Sequence, residues 1–221
     1  LRCLVGSEMC IRDRILGGEL TPVSKMSGAF LAPESNLHLQ FAYYQSSLVV
    51  EHLTERFGLE AIRNILKDLG EGVEINAAIA KHTEPLDKLE PAFRAYATAK
   101  AKALAPELDW TKPNPETLRT GVEEFARKHP KNFYLLVRQA RRALNDKDWE
   151  AVKAPCKELI KLFPHQTRGD GNPYVMLARA QRELEEDQAE RQTLETLAAM
   201  ADDAYPIFQR LTELAAEQKD W

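Results

Sequence analysis

Apolar residues recur at helical spacing along most of this chain, and glycines and prolines separate the recurrences. Over residues 37–57 they fall at Phe41, Tyr44, Leu48, Val49, Leu53 and Phe57, the three-and-four spacing that lines one helix face. Ser35 or Asn36 can cap this helix, and Gly58 suits a left-handed C-terminal stop. A second helix is predicted over 59–69, with Ile62, Ile65, Leu66 and Leu69 inward and Gly70 ending it. Residues 74–81 predict a third. Pro85 and Pro91 punctuate the approach to a fourth, from about 91 to 104. Residues 15–34 hold Gly17, Gly18, Pro22, Gly28 and Pro33, a density of breakers that reads as loop. Residues 105–115 contain three prolines and read as a linker between two regions. Beyond it three apolar stripes follow. The first is Leu118, Val122 and Phe125; the second is Leu135, Leu136, Ala140 and Ala143. The third is Trp149, Val152, Cys156, Leu159 and Phe163, closed by Pro164. The pattern predicts an all-α fold, with helix pairs joined by short turns in the second half.

Pro130 and Pro164 stand 34 residues apart, the period of the tetratricopeptide repeat. Within residues 133–166, Ala140 takes the small position of a first helix, where close helix approach needs it. Val152, Cys156 and Leu159 take the packing positions of a second helix, which Pro164 ends. Residues 116–221 therefore resemble tetratricopeptide-type helix pairs, which implies an α-solenoid that binds a protein or peptide. Pro155 departs from the pattern and is expected to kink its helix. Pro206 follows Pro164 by 42 residues, and the excess is assigned to an insertion over 165–172. Asp220–Trp221 repeats Asp148–Trp149, so the chain is expected to stop midway through a further unit. On that expectation Ile207, Leu211 and Leu214 form a stripe with no partner helix.

Composition narrows the partners. The 221 residues carry a formal net charge of −4 with basic residues spread along the chain, which argues against nucleic acid or an anionic membrane as main partner. No apolar run approaches a membrane span. Cys3, Cys10 and Cys156 make neither a metal-ligand spacing nor a disulfide framework, and the five histidines include no i, i+4 pair. His52 reads as a surface or packing residue. Arg138, Arg141 and Arg142 either line a peptide groove or form a charged outer face. Residues 183–187, with Arg182, Glu190 and Arg191, read as a solvated helix face.

The stretch LVGSEMCIRD, residues 4–13, resembles a translated transposase adaptor of the kind used in DNA library preparation. Residues 1–14, with Cys3 and Cys10, are on that reading non-native, and the coding sequence is entered mid-gene.

The segment AYYQSSLVVEHLTERFGLEAIRNILKDL, residues 42–69, with PLDKLEPAFRAYA downstream, resembles the C-terminal part of gluzincin (peptidase MA-like) zinc metallopeptidase domains. The resemblance assigns residues 15–104 to the helical end of such a domain and implies an exported bacterial parent. It places Tyr43 at the tyrosine that stabilises the oxyanion in aminopeptidase-like members, although Tyr44, Gln45 and Ser46 replace the residues that follow it there. The other reading makes Tyr43 and Tyr44 helix aromatics, one of them in the core. The family holds zinc through a His-Glu-x-x-His helix and a downstream glutamate. No His-Glu pair occurs in this chain, so the expected cofactor is none here and zinc in the parent. The expected function is a piece of a zinc metallopeptidase-like protein, inactive alone, whose repeats bind a partner. The alternative is a helical-repeat interaction scaffold with no relation to peptidases.

Overall fold

The structure, a computed structural model, describes residues 8–169, 171–201 and 204–217. The chain is all-α. Among the described residues every regular element is helical, and an isolated bridge between Asp109 and Asn132 is the only β feature. The chain divides into two compact units, Leu1–Leu104 and Ala105–Trp221.

The first unit holds α1 (Glu8–Leu16), a 3-10 turn (Val23–Lys25), α2 (Met26–Leu31), α3 (Asn36–Gly70), α4 (Ile75–His82) and α5 (Leu86–Ala103). Its core gathers Phe41, Leu48 and Leu53 of α3 with Ile79 of α4 and Leu89, Phe93 and Ala97 of α5. Ser35 caps α3, its side chain accepting from the His38 N–H at 3.3 Å, and Glu74 caps α4 through the Ala77 N–H at 3.0 Å. Gly58 breaks α3 inside its length, with φ +81° and ψ 164°. That is the extended region with positive φ that essentially only glycine visits, rather than the left-handed helical region the sequence suggested. A Cβ added at Gly58 would meet no atom within 4 Å, so the requirement is purely one of backbone conformation. Gly58→Ala is expected to cost about 1–3 kcal/mol, read as a lower urea midpoint at unchanged slope. An unchanged midpoint would show that the break relaxes freely.

Two expectations for this unit are corrected and one agrees with the structure. The second part of α3 ends at Gly70 as expected, and the turn beyond it closes at Gly72 (φ +85°), whose N–H bonds the Leu69 carbonyl while the Val73 N–H reaches the Asp68 carbonyl. Helix α5 begins at Leu86 rather than near Pro91, because Leu89 in that early turn is 1% exposed and anchors it in the core. Residues 15–34 are not simply loop: they hold the end of α1, the 3-10 turn and α2. Side chains of the longer helices pin them, with Glu90 accepting from the Ser24 hydroxyl and N–H, and Asn76 donating to the Ser24 carbonyl. Of the adaptor-like segment, residues 1–7 lie outside the described residues and 8–14 lie in α1.

The second unit holds α6 (Pro115–Thr120), α7 (Val122–Lys128), α8 (Phe133–Asn145), α9 (Trp149–Leu162), α10 (Pro173–Glu183), α11 (Asp187–Ala198) and α12 (Tyr205–Glu217). From α8 onward each helix packs on the next. Two hairpins, α8/α9 and α10/α11, repeat the same construction. Asn132 and Asn172, both buried, cap α8 and α10: their side-chain oxygens accept from the Leu135 and Tyr174 N–H groups. Their amide nitrogens donate to the carbonyls of Thr111, in the segment before α6, and Thr167, in the loop before α10, at 2.8 and 2.7 Å. The turns match as well. Lys147 and Glu185 take positive φ (56° and 58°), and Asp148 and Glu186 donate back to the Ala143 and Gln181 carbonyls, each at 2.9 Å. This is the Schellman closure made by non-glycine residues. Ala140 and Ala180, each the eighth residue of its helix, are both fully buried, in one cluster with Val152, Cys156 and Met176.

Here too the structure departs from the pattern. The first helices of successive pairs start at Phe133, Pro173 and Tyr205, 40 and then 32 residues apart, so the proline spacing of 34 is not the helix spacing. Helix α9 continues through Pro155, whose ring lies on the buried face with Val152, Cys156 and Leu159. The stripe at Leu118, Val122 and Phe125 is cut at Gly121 into α6 and α7. Residues 105–114 pack into the unit: Leu108 is buried and Trp110 stacks on Phe133 at 5.0 Å. Leu214 is fully buried and packs with Ile207 and Leu211 against Ala178 of α10 and Leu194 of α11. The large apolar residues that α12 presents to solvent are instead Tyr205 and Phe208.

Candidate functional site

Tyr43 stands on the outer side of α3, 63% exposed, its ring edge-on to Phe30 at 5.0 Å. Tyr44 is half-buried against the first core. The fully buried polar residue of this segment is Gln45, which the sequence did not single out. Its side-chain oxygen accepts from the Thr21 N–H at 3.0 Å, and its amide donates to the Thr21 carbonyl. The glutamine thus bonds a loop backbone in both directions, as a strand neighbour would. His52 is buried between Phe93 and Tyr96, at 6.0 and 4.8 Å, and burial pushes its pKa down. A neutral packing imidazole results.

Other ionisable clusters tie elements together. Buried Asp68 accepts from Lys81 and meets the His82 imidazole, both at 2.8 Å, and these partners hold its carboxyl below the usual range. Asp109 pairs with His129 and accepts from the Thr111 N–H at 2.8 Å. The Cys156 thiol is pushed up to about 12 by burial, which leaves it inert as a nucleophile. Among the described residues no three His, Cys, Asp or Glu side chains gather to hold a metal ion. Among the described residues no helix is long and apolar enough to cross a membrane.

Two of the three arginines of α8 have partners within the chain. Arg138 donates to the Leu118 carbonyl at 3.4 Å, and Arg142 pairs with Asp146 at 3.6 Å. An open hollow of about 400 Å³ lies one hairpin further on, between α10, α11 and α12. Val175, Leu194 and Ile207 give it apolar walls, and Arg179, Arg182 and Arg210 reach it. A hollow of about 480 Å³ on the first unit is lined by residues of α5 alone and lacks a second wall.

The arginines of the second-unit pocket differ in state. Arg210 is committed: its guanidinium bonds both carboxylate oxygens of Glu190, at 2.8 and 2.9 Å, and also reaches Glu213 and Glu217. Glu190 is 2% exposed, so the expectation of a solvated face at this position is corrected. Arg191 keeps the expected surface pairing, with Glu195 at 2.9 Å. Arg179 is exposed and lies over the Trp149 ring at 5.7 Å, and Arg182 is exposed at the pocket wall. Helical spacing alone indicates that Val175, Arg179 and Arg182 share a face, but only the fold shows that α12 supplies the facing wall. Comparison of the chain with protein-family models, with curated proteins and with solved structures gave no match.

Proposed function

We propose that this chain is a helical interaction module whose second unit holds a protein or peptide segment, in the manner of tetratricopeptide-type repeats. The observation that supports this is the repetition of one hairpin design. Caps at Asn132 and Asn172, turns at Lys147 and Glu185, and small contacts at Ala140 and Ala180 recur at matching places in α8/α9 and α10/α11. Repeated hairpins joined through like contacts present a continuous surface to a ligand, while no single hairpin can bury its own apolar face. Sequential packing from α8 to α12, with α8 also touching α10, agrees with such stacking. The peptidase resemblance stays with the first unit, where no further observation adds to it. The proposal therefore rests on the second.

The test is selection of a displayed random-peptide library on the immobilised, folded chain. Recurrent sequences are expected that also bind in solution and lose binding when the chain is unfolded in urea. A selection that yields no recurrent sequence would overturn the reading.

A further inference from the structure

We propose that His52 makes the first unit an acid-sensitive switch: on taking up a proton its ring leaves the slot between Phe93 and Tyr96, and the packing of α3 against α5 opens while the second unit keeps its fold. The device belongs to the first unit and is independent of the interaction reading.

Three observations carry it. First, the imidazole is enclosed. His52 is 7% exposed, and its ring meets Phe93 at 6.0 Å and Tyr96 at 4.8 Å across the contact of α3 with α5. Leu53 beside it on α3 and Phe93 opposite are each 3% exposed, so this stretch is core rather than rim. Second, a proton arriving there finds no acceptor. Nε2 is buried and, among the described residues, has no hydrogen-bond partner, and an uncompensated buried charge is costly. The charged groups around the ring are already committed. From α3, Arg56 pairs with Glu84 of the segment before α5 at 2.6 Å, and Glu55 lies 3.8 Å from Lys100. From α5, Lys100 pairs with Glu51 at 2.8 Å and sits over the Tyr96 ring at 5.3 Å, so that ring already receives a cation. Burial, and next the Arg56 charge, push the His52 pKa down, against the opposing pull of Glu84 and Glu55. Third, the other histidines differ. His38 stands within ion-pair distance of Glu34, His82 of Asp68 and His129 of Asp109, and His165 is exposed. A proton there meets a carboxylate or water. Among the described residues His52 alone of the five is buried without a carboxylate partner. Its folded pKa lies below the ordinary value of about 6.5, so the unfolded chain binds the proton more tightly. The stability that neutral His52 contributes is fully present above that value and is lost as pH falls through the folded pKa. An opening linked to one proton gains up to about tenfold in equilibrium constant per pH unit across this window.

The experiment follows amide hydrogen exchange of the full chain by mass spectrometry from about pH 7.5 to about pH 5, as protection factors corrected for the intrinsic pH dependence of exchange. Parent, His52→Phe, His52→Leu and His165→Gln are compared. His165 is exposed in the second unit and serves as the control. In the parent, protection over residues 41–57 and over α5 is expected to fall by up to about tenfold for each pH unit below about 6.5, while α8 to α11 stay protected. Both His52 variants are expected to remove the fall, because a neutral apolar side chain takes up no proton, and His165→Gln to leave it. The imidazole resonances of the parent give a second reading that needs no variant: the His52 ring is expected to titrate below the ordinary value of about 6.5. Where both His52 variants fail to fold, the two parent measurements decide. Protection over α3 and α5 that does not change with pH overturns the proposal. So does a fall that persists in a folded His52 variant, a fall shared by α8 to α11, or a His52 ring that titrates at the ordinary value.

Discussion

Glu190→Ala is expected to lower the stability of the chain by about 3 kcal/mol, the low end of the cost of breaking a buried ion pair. The carboxylate is 2% exposed and accepts two guanidinium bonds from Arg210, whose side chain is itself only 14% exposed. Truncation leaves a largely buried cation facing a void. Glu213 and Glu217, at 3.3 and 3.5 Å, recover part of the loss, which keeps the effect at the low end. The double variant Glu190→Leu/Arg210→Met should return close to the parent, because an apolar pair of similar volume carries no desolvation penalty. Urea denaturation of the three chains reads this out. A single variant within about 0.5 kcal/mol of the parent, the range of an ordinary surface change, would show that the pair is not formed in solution.

Leu214→Ala has a comparable expected effect by another route. Leu214 is fully buried, the only such residue of α12, and meets Ala178 and Leu194 of the preceding hairpin. Removing its branched end costs the transfer energy of the lost carbons plus a cavity, together about 2–5 kcal/mol. The loss should appear first as faster amide exchange over residues 205–217, since among the described residues the only buried side chain of this helix is Leu214 itself. Exchange that is already fast in the parent, with no change in the variant, would mean that α12 does not dock.

The elements of this chain were legible wherever a local rule decided them. Ser35, Glu74 and Asp148 stand where helices begin, and the apolar spacing of α3, α8 and α9 marks the faces that are buried. What failed to show was decided at a distance. Glu190 sits among charged residues and reads as surface; only Arg210, 20 residues on, turns it inward. Ile207, Leu211 and Leu214 form a legible stripe, but the sequence does not say whether it meets the helices before it or one after it. Lys147 and Glu185 adopt positive φ without being glycine, so the two matched turns leave no mark in composition. The candidate pocket was half visible: Arg182 was read as solvated surface, and Arg179 gained meaning only with α12 opposite.

The paired turns also bear on how the chain reaches its folded state. In the second unit most helix contacts join sequence neighbours, and each hairpin closes over a turn of a few residues. Short closures cost little chain entropy, and local topologies fold fast for that reason. Each hairpin carries its own cap and its own turn closure, so assembly can begin at either and spread to the other. Asn172 caps α10 and bonds the Thr167 carbonyl at once, so the end of the loop after α9 and the start of the second hairpin are tied through one side chain.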